Sequence, residues 1–144
     1  MMNMGTKTMD MMSMNMPGMD MKMMQDCMEA CSAAEQASIM CADAASGDQM
    51  AKMASMCANT ADLCNSMMRM MMRPMGFEMA AMKAMLDATA IMCRACAEEC
   101  MTHGDSDDAK MCAQVCQNCA SACEALSGSM TSGSMKSEAT SSGA

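Results

Sequence analysis

Thiols and thioethers dominate the reactive side chains of this chain, which carries 12 cysteines and 31 methionines in 144 residues and a single histidine, His103. Soft sulfur donors of this kind select Cu(I) and related ions. An α-helix turns by about 100° per residue, so each cysteine can be placed around its helix. Cys112, Cys116, Cys119 and Cys123 then fall within an arc of about 60°, as do Cys93, Cys96 and Cys100. Cys27, Cys31 and Cys41 span about 80°, and Cys57 and Cys64 lie about 20° apart. Every cysteine occupies one stripe of its helix, and four stripes facing one another make a thiol-lined core.

Methionines extend the stripes. Met75, Met79 and Met82 share the Cys93 face, and Met50, Met53, Met68 and Met71 flank the Cys57 and Cys64 face. Met23 and Met24 do the same ahead of Cys27. In an antiparallel bundle one end becomes methionine-rich and the end near Cys41, Cys100 and Cys112 cysteine-rich. The expected metal ligands are the 12 cysteines with His103 and these seven methionines of the second and third helices.

The spacing separates metal binding from its rivals. Residues four apart on a helix hold their Cβ atoms about 5–6 Å apart, whereas a disulfide wants about 3.5–4.5 Å. Cys27/Cys31, Cys96/Cys100, Cys112/Cys116 and Cys119/Cys123 are therefore poor disulfide pairs but well placed for one ion bridging two sulfurs. Disulfides between helices remain the main alternative, since the cysteine count is even. A buffer for Zn or Cd is another, although zinc knuckles usually sit on turns and both CxxC pairs, Cys93–Cys96 and Cys116–Cys119, fall mid-helix. Iron–sulfur ligation and a thioredoxin-like site lack their loop and strand contexts.

Composition bounds the rest. With no Trp or Tyr, one Phe and six Leu, Ile and Val residues, a core must be built from sulfur and alanine. A net charge of −8 excludes the basic patch of a nucleic-acid binder, and no apolar run is long enough to span a bilayer. Nothing resembles an acid/base pair around a substrate site, so no enzymatic activity is expected.

The elements that must position the stripes follow from helix formers and breakers. Ser46-Gly47-Asp48 supplies a glycine stop and an Asp N-cap, Pro74 suits a first helical turn, and Gly104-Asp105-Ser106 repeats the stop-and-cap pattern. Helices are predicted over roughly 20–45, 49–72, 75–102 and 106–126. Short connections make this an all-α, antiparallel up-down four-helix bundle with a Cys/Met-lined core. Residues 1–19 form a methionine-rich flexible segment, 20–126 the bundle and 127–144 a flexible Ser/Gly-rich tail. Twelve of the first 24 residues are Met, which suits capture of soft metal ions.

The run CRACAEECMTHGDSDDAKMCAQVCQNCASACEAL, from Cys93 to Leu126, resembles the bacterial copper storage proteins of the DUF326 type. The resemblance rests on C-x2-C-x3-C, a histidine, then C-x3-C-x2-C-x3-C; the first two helices fit more loosely. It implies multiple Cu(I) ions held inside the bundle by pairs of thiolates, with His103 at the mouth where metal enters, and assembly as a tetramer. Two departures stand out: Met111 or Asp107 lies where relatives often carry a second histidine, and methionine replaces several stripe positions. The expected cargo is thus Cu(I), with a copper donor or acceptor as partner. Free thiols suit the cytoplasm. The methionine-rich start favours an exported or periplasmic protein whose signal has been removed, since residues 1–24 contain no apolar signal core.

Overall fold

The computed structural model describes residues 19–141 apart from 46, 48 and 49, with side chains described through Met130. Four helices occupy it: α1 (Met21–Ala44), α2 (Ala51–Met71), α3 (Met79–His103) and α4 (Asp107–Ser141). A 3-10 turn, Pro74–Gly76, joins α2 to α3. Each of α1 and α3 packs on both α2 and α4, which gives the antiparallel up-down arrangement expected from the short loops.

Local chemistry sets the helix ends. Asp20 caps α1 by accepting from the Met23 amide at 2.9 Å, and the Ser106 hydroxyl accepts from Ala109 N–H at 3.1 Å to open α4. Two boundaries differ from the sequence expectation. Pro74 opens the 3-10 turn rather than α3, which starts at Met79 with the Glu78 carboxylate accepting from the Ala81 amide at 2.7 Å. The cap expected at Asp48 falls outside the described residues, and α2 begins after Met50 with no side-chain cap. Gly47, at φ 89°, supplies the left-handed residue of the α1–α2 loop.

The buried seam of each helix advances by alternating steps of three and four. On α1 it is Met24, Cys27, Cys31, Ala34, Ser38 and Cys41. On α2 it is Met53, Cys57, Thr60, Cys64, Met67 and Met71, and on α3 Met82, Leu86, Thr89, Cys93, Cys96 and Cys100. On α4 it is Ala109, Cys112, Cys116, Cys119, Cys123, Leu126 and Met130. A mean step of 3.5 residues keeps a seam facing its partners only if the helices wrap gently left-handed.

That seam also explains why α4 continues past Leu126, where a flexible tail is expected from the Ser/Gly composition. Ser127 and Met130 are buried, and the helix runs to Ser141. The Ser127 hydroxyl donates to Asp87, and Lys83 binds Asp87 at 2.9 Å and Ser127 at 3.2 Å, tying α4 to α3. The expected flexible segment at the start lies outside the described residues except for Met19, which is buried.

Candidate metal centre

All 12 cysteines are buried free thiols, each no more than 1% exposed. They come from all four helices because each seam places its sulfurs on the bundle axis. Four groups hold sulfurs within 4.8 Å of one another: Cys41/Cys57/Cys100/Cys112, Cys96/Cys112/Cys116, Cys31/Cys64/Cys119 and Cys27/Cys31/Cys123. Cys93 lies 3.8 Å from Cys64. Individual approaches are 3.6 Å for Cys27–Cys123 and Cys57–Cys96, 3.7 Å for Cys31–Cys119, 3.8 Å for Cys57–Cys100 and Cys112–Cys116, and 4.0 Å for Cys41–Cys100, Cys57–Cys112 and Cys64–Cys119. These separations are far beyond the 2.03–2.05 Å of a disulfide.

One seam position on α1, among these sulfurs, carries oxygen instead of sulfur. Ser38, fully buried, sits 3.7 Å from Cys112 and 3.6 Å from Cys116. Thr60 and Thr89 turn their hydroxyls back to the carbonyls of Met56 and Met85, at 2.8 and 2.7 Å, as buried helical threonines commonly do. Sequence reasoning from cysteine alone passed over Ser38; its place seven residues after Cys31 and three before Cys41 is the signal that finds it.

Burial opposes ionisation of Cys57, Cys96, Cys112, Cys116 and Cys119, and neighbours then divide them. Hydrogen bonding with Cys100 and Cys112 pushes Cys57 up, and hydrogen bonding with Cys112 and Cys93 pushes Cys116 up. Cys119 is pushed up by Cys123 and Cys31. Others move the other way: hydrogen bonding with Cys100, Cys116 and Cys57 pulls Cys112 down, and Cys96 is lowered to about 4, chiefly by hydrogen bonding with Cys100.

The methionines divide into seam and flank. Met53, Met71 and Met82 lie in the core, Met50, Met68 and Met79 are half-buried beside it, and Met75 is 81% exposed on the α2–α3 turn, apart from the cluster. Met24, Met67 and Met130 are also core residues. Met67 follows Cys64 by three and Met130 follows Cys123 by seven, spacings that put both on their cysteine faces. The antiparallel register gathers Met24, Met71, Met82 and Met130 at one end, with Leu86 and Leu126 above them. At the other end Met53 joins Cys41, Cys100 and Cys112. A Cβ on Gly104 would lie 2.4 Å from Ala109 Cβ, 2.7 Å from the Cys100 carbonyl oxygen and 3.1 Å from Met53 Sδ, so the loop passes close over these sulfurs only as glycine.

His103 is more than half exposed at that cysteine-rich end. Its Nδ1 lies 2.9 Å from Glu99, whose side chain is only 11% exposed and also meets Lys52 of α2 at 3.4 Å. A carboxylate on Nδ1 leaves Nε2 as the nitrogen that can accept a metal.

The comparisons with known proteins agree with this geometry. Residues 17–128 match the copper storage protein family, and the chain belongs to that family. Among solved structures, the copper storage protein Ccsp of Streptomyces lividans loaded with 10 copper equivalents is 31% identical, with a TM-score of 0.75 over 78% of this chain and 89% of that one. A form of the same cytosolic protein with five coppers is 31% identical, with a TM-score of 0.71 over 74% of this chain and 93% of that one. A histidine-to-alanine variant is 31% identical, with a TM-score of 0.74 over 78% and 98%. No curated protein sequence matches the chain at a significant level.

Proposed function

We propose that this chain stores multiple Cu(I) ions on the thiolates of its bundle core, each ion replacing thiol protons and shared thiolates linking neighbouring ions. The observation that carries this is the overlap of the buried sulfur groups: Cys112 belongs to two of them and Cys31 to two others. Overlap suits a monovalent ion that shares ligands, and membership of the copper storage family supports it. The 12 cysteines are the principal ligands. Met53, Met71 and Met82 add thioethers within the core, Met50, Met68 and Met79 beside it, and His103 a capturing nitrogen at the mouth. Met75, exposed, and the methionines of residues 1–18 fit capture better than storage.

The role is storage rather than catalysis, with a copper donor and acceptor as partners and a tetramer as the assembly that the family resemblance favours. No helix among the described residues is long and apolar enough to cross a membrane. Free thiols and the cytosolic Streptomyces relative support the cytoplasmic alternative over the exported one.

A specific observation keeps one competitor in play. Within the group of Cys41, Cys57, Cys100 and Cys112, the Cys41–Cys100, Cys57–Cys100 and Cys57–Cys112 separations are 3.8–4.0 Å, near the edge of about 3.8 Å of a tetrahedron built on Zn–S bonds of about 2.3 Å. An anaerobic titration of the reduced protein with Cu(I) against a chromophoric Cu(I) chelator decides. Uptake of roughly ten or more ions, undisturbed by excess Zn(II), is expected for storage in sulfur clusters. Uptake of only one or two ions ends the storage reading.

A further inference from the structure

The sulfur groups fall into two sets with no common member. Cys41, Cys57, Cys96, Cys100, Cys112 and Cys116 make the first, joined through Cys112. Cys27, Cys31, Cys64, Cys119 and Cys123 make the second, joined through Cys31, and Cys93 adds to it through Cys64. Every sulfur–sulfur approach of 3.6–4.0 Å given above lies within one set. Along α3 and α4 the two sets meet where Cys93 is followed by Cys96 and Cys116 by Cys119, with one member of each pair in either set.

The reason lies in two seam residues. Between Cys31 and Ser38 the α1 seam carries Ala34, and between Cys57 and Cys64 the α2 seam carries Thr60; both are fully buried. Alanine offers no donor atom, and the Thr60 hydroxyl is committed to the Met56 carbonyl. On α3 and α4 the cysteines run on unbroken, from Cys93 to Cys96 and from Cys116 to Cys119. The core therefore has a waist where sulfur is present on two helices only.

Resting on the storage reading above, we propose that the cargo is held as two separate six-cysteine clusters. The outer lies under the His103 end and the inner against the methionine layer, and ions pass between them by way of Cys93 and Cys116. Ions that share thiolates fill a cluster together, while clusters without a shared ligand fill independently.

Native mass spectrometry of the reduced protein, titrated anaerobically with Cu(I), tests the partition. The expected result is a half-loaded species that accumulates between empty and full chains. The paired substitution Cys57→Ser with Cys112→Ser, and separately Cys31→Ser with Cys119→Ser, should each remove about half the capacity and leave the affinity of the remaining ions unchanged, as independent sites require. Thr60→Cys, which adds a sulfur at the waist and removes no ligand, should abolish the half-loaded plateau and keep full capacity. Metal counts that climb evenly in the wild type, or a paired substitution that weakens every ion, would overturn the partition while leaving storage intact. A wild type that takes up only one or two ions removes the storage reading itself and the partition with it.

Discussion

At the scale of single residues, the thiols are not equivalent, because the groups they form overlap unevenly. Cys112 serves two groups, whereas Cys41 belongs to one. Cys112→Ser should therefore cost more bound Cu(I) than Cys41→Ser, which counting ions by mass spectrometry would show; equal losses would mean that sharing is unimportant. Glu99 holds His103 by Nδ1, and removing such an outer partner of a metal-binding histidine typically costs 10- to 100-fold in affinity. Glu99→Ala should weaken the binding of an ion at His103 by about tenfold in competition with a chromophoric Cu(I) chelator, without lowering total capacity. Asp87 illustrates the ordinary electrostatics of the rest. Hydrogen bonds from Ser127 and then Lys83 hold its carboxyl below the usual value of 3.8. The unfolded carboxyl takes up its proton first as pH falls, so this contribution is full above about pH 4 and lost through the lower folded value. Amide protection factors around Ser127, taken against the intrinsic exchange rate at each pH, should accordingly fall below about pH 4, and Asp87→Asn should remove that pH step.

At the scale of elements, each helix is stabilised by very few branched side chains. Leu86 and Leu126 are fully buried near the methionine layer, whereas Ile39 and Ile91 are 54% and 71% exposed. Thermal melts of the metal-free protein should show Leu86→Ala costing about 2–5 kcal/mol and Ile91→Ala near zero. A core of flexible thioethers and small thiols specifies packing weakly by itself, so these two leucines carry a large share of the definition. The α3–α4 loop is fixed differently. Gly104→Ala would press a methyl group into Ala109 and the Cys100 carbonyl, which overpacking places at about 1–3 kcal/mol.

For the whole molecule, metal and proton compete for one set of buried sulfurs. Cys57, Cys116 and Cys119 are held above the ordinary thiol value of 9.0, so near neutral pH each must give up a proton when an ion arrives. Lower pH favours the protonated form, and apparent Cu(I) affinity should fall on acidification, with protons released on loading that a pH-stat can count. Thioether sites have no proton to lose, so any ions retained at low pH would report the methionines. Because the ions bind the folded bundle, loading should also raise its melting temperature in proportion to the logarithm of free metal over Kd.

The sequence alone determined the class of architecture and the chemistry of its interior. Glycine and capping residues marked the loops, and the recurrence of cysteine every three or four residues forced each set onto one helix face. With so few other hydrophobes, that face had to be the core. Helix boundaries were less legible where tertiary contacts overrode composition. Glu78 rather than Pro74 heads α3, and the seam carries α4 through Ser127 and Met130. Only the tertiary structure decided which sulfurs meet, because helical periodicity fixes a face but not the axial register between helices. That register separates core methionines such as Met71 and Met82 from the exposed Met75. It also sets Ser38 among Cys112 and Cys116 and puts Ala34 and Thr60 between the two sulfur sets.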